Sequence, residues 1–236
     1  MVPRQSLPVP TSCSGVSGAR YQATLASGWQ AVKVAGGLQS PRGIVLDSAG
    51  HLLIVEVGRG ITVRTLDANG CVTASKNLIS QNNLNHGIIL SPDSKTLYAS
   101  SATTVWKWTY DPVAATISGS STVVVSGMLN AGHVSRTLSM PKNNANMLVV
   151  SHGSNGNLDM PTQNIAAARA AVKVFNVSSV PSGGHNYISG GWNAGYGLRN
   201  EVGITFDGNN MYVSPSFESN LTDNQGFGVS RTAQTK

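Results

Sequence analysis

One pattern repeats along the chain and limits the folds that the chain can adopt. Each copy has a glycine, a short apolar strand, a turn rich in Asp, Ser, Gly or Asn, and a second apolar strand. Three copies fit closely, at 40–56, 84–101 and 202–214, and a looser copy at 135–151 lacks the leading glycine. Short β-branched runs between such turns are typical of an all-β chain.

The spacing of the repeat predicts the architecture. Intervals of 44, 50 and 66 residues separate the equivalent apolar positions, which are Leu46, Leu90, Met140 and Phe206. A period in the forties with two apolar strands per copy predicts the four-stranded blades of a β-propeller. The long last interval holds an insertion, roughly 153–172, and its Ala-rich part at 164–174 predicts a short helix.

The pattern also predicts the domain organisation. Residues 1–27 are interpreted as a flexible N-terminal leader, 28–219 as a partial β-propeller with about four blades, and 220–236 as a disordered tail. Propeller rings close with four to eight blades, so a four-bladed ring is possible. Because the strand pattern stops abruptly after Ser219, we expect the chain to be the first part of a larger propeller that lacks its last blades.

Composition excludes several classes of protein. The 236 residues include 16 Lys and Arg against 10 Asp and Glu, and the basic residues are scattered, so we expect no nucleic-acid partner. No apolar run approaches the roughly 18–20 residues that span a bilayer, so we expect no membrane partner.

The cysteines and two glycosylation sequons bear on the compartment. Cys13 and Cys71 would allow one disulfide, which would favour an oxidising environment. The sequons at Asn176 and Asn220 point the same way, although such short motifs arise often by chance. Against export, no signal peptide is visible in the first twenty residues.

Polar residues precede the inner strand of each copy and would converge on the axis of a propeller. They are Arg42, His86, His133 with Arg136, and Arg199 with Asn200. Two imidazoles and several guanidinium groups at one place would form a site for an anionic ligand beside a general base. The alternative is that each of them caps a turn or bonds a backbone carbonyl.

Two segments carry a resemblance to a known family. HVSRTLSMPKNNANMLVVSHGSNGNLD (133–159) and GLRNEVGITFDGNNMYVSPSFESNLTD (197–223) resemble, in order, segments of the soluble quinoprotein glucose dehydrogenases. They are closer still to the fungal pyrroloquinoline quinone-dependent pyranose dehydrogenases, which are related to the sorbosone dehydrogenases. The resemblance runs from about residue 28 to 223.

The resemblance implies a six-bladed propeller that oxidises the anomeric carbon of a pyranose or aldose and passes hydride to pyrroloquinoline quinone. His133 matches the catalytic base, and Arg199 matches the catalytic arginine that faces the quinone oxygen. Arg199 and Asn200 match cofactor-binding positions. Arg42 and His86 occupy equivalent positions at the inner strands of the first two blades and are expected to bind the cofactor as well. A fixed guanidinium where negative charge develops stabilises the transition state.

The resemblance further implies a sugar-binding loop that contains Asn155 and Asn157, although an Asn/Gly turn cluster would explain the same residues. It implies a calcium ion near Glu218, Ser219 and Asn220, an external electron acceptor and an extracellular location. Glu201 departs from the family, since bacterial enzymes usually have proline there. Arg136 departs from the family as well, because it comes one position earlier than the Gly-Arg pattern of the family predicts.

Three alternatives remain at this point. The first is a metal-dependent lactonase-type propeller hydrolase, and the second is a non-catalytic propeller binding module. The third is an inactive fragment of the dehydrogenase, because the family's later blades supply cations that hold the cofactor carboxylates. On that ground we expect the chain alone to bind the quinone poorly.

Overall fold

A computed structural model describes residues 12–21, 23–208, 210–215 and 233–234. Most of the regular structure in these residues is β-strand, arranged in four sheets that follow one another along the chain. Within these residues, no helix is long and apolar enough to cross a membrane.

The first two sheets are antiparallel meanders in which consecutive strands are neighbours. The strands of the first sheet are β1 (Pro41–Leu46), β2 (Leu52–Glu56), β3 (Gly60–Leu66) and β4 (Val72–Ile79). The strands of the second sheet are β5 (Leu84–Leu90), β6 (Thr96–Ser101), β7 (Val105–Asp111) and β8 (Thr116–Ser126).

The third and fourth sheets complete the described part of the fold. The next strands are β9 (Leu138–Ser139), β10 (Met147–His152), β11 (Ala171–Asn176), β12 (His185–Asn186) and β13 (Trp192–Tyr196). The last strands are β14 (Glu201–Asp207), β15 (Asn210–Pro215) and β16 (Ala233–Gln234). The third sheet has the order β9-β10-β11-β13, the fourth has the order β14-β15-β16, and β12 pairs in parallel with β8 at the edge of the second sheet.

The first strand of each sheet lies beside the first strand of the next. β1 contacts β5, β5 contacts β9, and β9 contacts β14. These inner strands and the strands that follow them are the four copies of the sequence repeat. The predicted all-β propeller is therefore confirmed, with each repeat forming the inner half of a blade.

Apolar clusters fill the space between consecutive blades. We number the blades 1 to 4 in the order of their sheets. Blades 1 and 2 share one apolar cluster, blades 2 and 3 share a second, and blades 3 and 4 share a third. Along β10, Leu148 and Val150 face blade 2 whereas Val149 faces blade 4. Since alternate residues of a strand point to opposite faces, a blade between two neighbours needs a continuous apolar run.

The repeated glycine allows neighbouring inner strands to approach closely. A Cβ atom on Gly43 would lie 2.2 Å from the carbonyl oxygen of His86, and one on Gly87 would lie 2.2 Å from that of Arg136. Any side chain at these positions would push the blades apart, which explains the glycine at the start of the repeat.

Two serine hydroxyls link the blades at the same register. Ser100 Oγ accepts the Gly87 N–H at 2.9 Å and donates to the Arg136 carbonyl at 2.9 Å. Ser151 Oγ accepts the Thr137 N–H at 2.9 Å and donates to the Glu201 carbonyl at 3.1 Å. We name these two groups the serine joints.

The insertion between β10 and β11 differs from the prediction of a short helix at 164–174. It contains two 3₁₀ helices, Met160–Gln163 and Ile165–Ala167, and Ala171–Val174 belongs to β11. The helix prediction is wrong for this strand because pairing with β10 outweighs the helix propensity of alanine.

The N-terminal segment is tied covalently to the first blade. Cys13 and Cys71 form a disulfide, with Cys71 in the turn between β3 and β4. At the other end, Ala233–Gln234 pairs with Asn210 and Met211 of β15. The domain boundaries at 27 and 219 remain predictions.

Candidate functional site

His133 lies in the connection between β8 and β9, where blade 2 leads into blade 3. Its backbone N–H donates to the Ser154 carbonyl at 2.9 Å, and its Nδ1 atom lies 3.0 Å from that oxygen and 3.0 Å from Ser154 Oγ. A carbonyl oxygen only accepts, so this contact requires a proton on Nδ1. The neutral ring then keeps a lone pair on Nε2, the atom that a general base uses.

A buried arginine holds the connection that carries His133. The Arg136 side chain is fully buried and donates to the carbonyl oxygens of Leu129 and His133 at 2.6 Å each, and to that of Ala102 at 2.9 Å. Burial lowers the pKa of Arg136 to about 10, so the guanidinium remains charged at neutral pH. Arg136 therefore supports the fold of the connection, and the prediction that it reaches the axis is wrong.

His152 completes this support. Its Nε2 atom accepts the Leu129 N–H at 3.1 Å, and its Nδ1 atom donates to the Gly153 carbonyl at 2.7 Å. Burial, and next the charge of Arg136, lower the pKa of His152 to about 4. The ring stays neutral at physiological pH, as its acceptor role requires.

Gly153 lies between His133 and Arg199, which are 66 positions apart in the sequence. A Cβ atom on Gly153 would lie 2.5 Å from His133 Cβ and 3.0 Å from the Arg199 carbonyl oxygen. The Ser154 N–H donates to that same Arg199 carbonyl at 2.8 Å. The structure therefore brings the predicted base and the predicted catalytic arginine together across one residue of blade 3.

The loop after β10 contacts both of these residues. Arg199 Nη2 donates to Asn157 Oδ1. The backbone of Asn155 packs on Gly132, where a Cβ atom would lie 2.2 Å from the Asn155 carbonyl carbon. The predicted sugar loop therefore borders His133 on one side and Arg199 on the other.

Asp159 and Arg169 hold this loop in place. Asp159 Oδ2 accepts the Asn155 N–H at 2.7 Å, and Asp159 Oδ1 lies 3.1 Å from Arg169 Nη2. Both side chains are largely buried, with exposed fractions of 7% and 16%. Sequence reasoning missed this pair, because the two residues are ten positions apart and follow no motif.

Replacing Asp159 with Asn should loosen the loop without unfolding the blades. The substitution removes the charge that pairs with Arg169 and weakens the acceptor for the Asn155 N–H, a loss of about 1.5–3 kcal/mol. We expect amide exchange in 154–158 to become about 10–100 times faster. Hydrogen–deuterium exchange measures this, with Asp93→Asn, in a turn of blade 2, as the matched control. Unchanged exchange in 154–158 would show that Asp159 does not hold the loop.

Arg42 and His86 meet at the starts of the inner strands of blades 1 and 2. Arg42 Nη2 lies 3.5 Å from His86 Nδ1 and donates to Ser135 Oγ at 3.3 Å. Burial and then the charge of Arg42 lower the pKa of His86, against an opposing backbone hydrogen bond with Val202. Ser135 is two residues from His133, so this pair lies beside the connection that carries the predicted base.

Glu201 follows Asn200, whose side chain is partly buried, and begins β14 as a buried acid. Its side chain is 1% exposed, and neither carboxylate oxygen has a hydrogen-bond partner among the described residues. Its backbone carbonyl accepts hydrogen bonds from Thr137 Oγ1 at 2.7 Å and from Ser151 Oγ, one of the serine joints, at 3.1 Å. Burial raises the pKa of Glu201 to about 7.

The protonation of Glu201 should make stability depend on pH. The folded state holds this proton more tightly than the unfolded chain, whose carboxyl titrates near 4.5, so stability is lost as the pH rises from 4.5 through about 7. Glu201→Gln does not titrate, and its advantage over the parent should grow across this range to on the order of 2–3 kcal/mol. Urea unfolding at several pH values measures the difference, and a flat difference would contradict the assignment.

Glu56 provides a control of opposite sign. Burial raises its pKa, but bonds from Thr62 and the Gln39 N–H, together with the charges of Arg59 and Arg64, outweigh burial and lower the pKa overall. Glu56→Gln should therefore lose stability at neutral pH, and its disadvantage should shrink as the pH falls through the lowered pKa.

The predicted calcium ligands Glu218, Ser219 and Asn220 lie outside the described residues. Among the residues that are described, no group of three His, Cys, Asp or Glu side chains is placed to hold a metal ion. The strand starts instead bring together guanidinium and imidazole groups, which suit an anionic ligand.

Comparison with known proteins places this arrangement in a family. The TrAA12-like family model matches residues 23–229, which include β1 to β15 and every residue of the site. The chain belongs to the TrAA12-like family. The resemblance to fungal quinone-dependent pyranose dehydrogenases is thereby confirmed.

Two curated relatives of this TrAA12-like chain are named as quinone-dependent enzymes. The chain is 45% identical over 197 residues to a pyrroloquinoline quinone-dependent pyranose dehydrogenase from Coprinopsis cinerea, covering 83% of the chain and 27% of the relative. It is 35% identical over 185 residues to a pyrroloquinoline quinone-dependent sugar dehydrogenase from Hypocrea jecorina, covering 76% and 43%. The chain thus spans less than half the length of these relatives.

Solved structures agree with the family. The holo form of the pyranose dehydrogenase PQQ domain from Coprinopsis cinerea superposes with a TM-score of 0.83 at 43% identity, covering 86% of the chain and 50% of that domain. A calcium structure of the Trichoderma reesei family AA12 enzyme gives a TM-score of 0.74 at 33% identity, covering 80% and 49%. The TrAA12-like chain therefore has the fold of about half of each of these proteins.

Proposed function

We propose that this chain supplies part of the active site of a quinoprotein sugar dehydrogenase, which oxidises the anomeric carbon of a pyranose or aldose. The observation that carries the proposal is the convergence of His133 and Arg199 on Gly153, with Asn157 bonded to Arg199. The relatives, 35–45% identical, are named as pyrroloquinoline quinone-dependent pyranose and sugar dehydrogenases, which supports the class of reaction.

The donor set fits pyrroloquinoline quinone, which carries three carboxylates and two quinone oxygens. Arg42 and Arg199 present guanidinium forks, the groups best suited to carboxylate and carbonyl oxygens. His86, kept neutral beside Arg42, and Asn200 add uncharged donors. When bound, the quinone would supply the acceptor for the hydride, and with it the two electrons, that leaves the sugar.

His133 is the proposed base. Its Nδ1–H is engaged with Ser154, so Nε2 is the atom that takes the proton of the C1 hydroxyl as the C1–H bond breaks. Arg199 is positioned by Gly153 and Asn157 and is proposed to stabilise the negative charge that develops on the quinone oxygen. Asn155 and Asn157 are proposed to contact the sugar hydroxyls.

Calcium, the electron acceptor and the compartment belong to the same proposal. Calcium is proposed at Glu218, Ser219 and Asn220, with support from the calcium structure of the Trichoderma reesei enzyme. An external acceptor is proposed to take up the two electrons that the oxidation of the sugar releases. We place the protein outside the cell, a location that the Cys13–Cys71 disulfide supports.

Titration of the purified chain with pyrroloquinoline quinone, with and without calcium, tests the proposal. The expected result is weak but saturable binding by the folded chain that weakens further in Arg42→Met and Arg199→Met, but not in the distant Lys95→Met. Equal affinity of all four proteins would overturn the assignment of these arginines.

A further inference from the structure

Asn176 ends β11 and is the first residue of the sequence Asn176-Val177-Ser178, which the proposed reaction does not use. Asn176 and Ser178 are exposed, whereas Val177 is 7% exposed and packs in the apolar cluster between blades 2 and 3. The Val177 N–H donates to the Asn146 carbonyl at 2.8 Å. The buried middle residue therefore fixes the backbone so that its two polar neighbours project outward.

The local conformation is a turn closed by the asparagine side chain. Asn176 Oδ1 accepts the Ser178 N–H at 3.0 Å and the Ser178 hydroxyl at 2.7 Å. Both bonds use the amide oxygen and leave Nδ2, the nitrogen to which a glycan is attached, out of the turn. Proline is absent from the middle position, as the acceptor sequence requires.

The place of Asn176 in the blade separates it from the candidate site. Asn176 pairs with Met147 at the start of β10, whereas the site borders His152 and Gly153 at the other end of that strand. Five residues of strand separate the two ends by about 17 Å. A large group on Asn176 would therefore leave the region around His133 and Arg199 open.

An independent observation concerns the compartment. Cys13 and Cys71 are joined in a disulfide, and such bonds form and persist where the environment is oxidising. The lumen in which disulfides form in eukaryotic secretion is also the place where asparagine glycans are attached.

We propose that Asn176 is an N-glycosylation site. The donor is an oligosaccharide carried on a lipid pyrophosphate. A bond forms between Asn176 Nδ2 and the anomeric carbon of the oligosaccharide, the bond from that carbon to the pyrophosphate oxygen breaks, and the amide gives up one proton. Ser178 supplies the hydroxyl that the acceptor sequence needs.

The test uses the full chain directed into endoplasmic-reticulum microsomes by a secretory signal, scored only on protease-protected molecules. Asn220→Gln removes the second sequon in every sample. The Asn220→Gln chain should gain the mass of one glycan in most molecules, and peptide-N-glycosidase should remove that glycan and leave aspartate at 176. Asn176→Gln and Ser178→Ala in the same background should gain nothing, whereas Ser178→Thr should keep the glycan.

Protected Asn220→Gln chains that carry the disulfide but retain their unmodified mass would overturn the proposal. A glycan that persists in Asn176→Gln would overturn it too. Because the site lies at the far end of the blade, Asn176→Gln should leave the quinone titration unchanged.

Discussion

Replacing His133 with Ala is expected to reduce the rate of sugar oxidation by about 10²–10⁴, the contribution typical of a positioned general base. The His133 backbone is held by two hydrogen bonds that do not involve the imidazole. Its N–H donates to the Ser154 carbonyl, and its carbonyl accepts from Arg136. The connection should therefore keep its shape in the variant. Dye-linked oxidation at saturating quinone and calcium measures the effect.

The comparison that isolates chemistry from structure is the quinone affinity. We expect His133→Ala to bind the quinone within a few-fold of the parent and to melt at a similar temperature. His185→Ala, at the edge of blade 2 on β12, is the matched control and should retain full turnover. A parallel fall of affinity and rate in His133→Ala would mean that the ring supports the pocket, not the proton transfer.

Replacing Arg136 with Met is expected to cause the largest loss of stability, about 3–5 kcal/mol. The change removes a fully buried donor from the carbonyls of Leu129, His133 and Ala102, and each such lost bond costs about 1–3 kcal/mol. For a domain of this size the melting temperature should fall by about 10 °C.

Thermal unfolding followed by circular dichroism measures this loss. Arg136→Lys keeps the charge but replaces the planar fork, so it should recover only part of the stability. Arg20→Met is the matched control, because Arg20 is exposed and stacks on the exposed Tyr21 ring, so its loss should cost no more than about 1 kcal/mol. If both methionine variants melted at the same temperature, the buried bonds of Arg136 would not support the connection as argued.

Much of the fold can be predicted from the sequence because propeller blades bury both faces. The apolar runs around Leu90 and Phe206, and the glycine before each, mark inner strands that must pack on two neighbours. Ala171–Val174 was predicted as helix because alanine favours helices locally, whereas pairing with β10 is a tertiary effect that no local pattern reveals.

The site divides in the same way. His133 and Arg199 belong to sequence segments that match a family pattern, so they can be predicted from the sequence. The structure brings the two residues together. In the sequence, Arg136 resembles the other cations that are expected near the propeller axis. A sequence shows that a residue is charged but not that its side chain is buried, as that of Arg136 is. Asp159 acts through contacts with Asn155 and Arg169 in its own insertion, which follow no motif, and Glu201 acts through burial, so only the folded chain shows them.

The serine joints give the blades a mechanical connection in series. Each hydroxyl accepts a hydrogen bond from its own sheet and donates one to the next sheet. Blade 2 therefore donates to blade 3, and blade 3 donates to blade 4. His133 enters blade 3 and Arg199 enters blade 4, so a ligand held between them would act as a clamp across that seam. Binding of such a ligand would then stabilise the contact between blades 3 and 4 and raise the melting temperature of the protein.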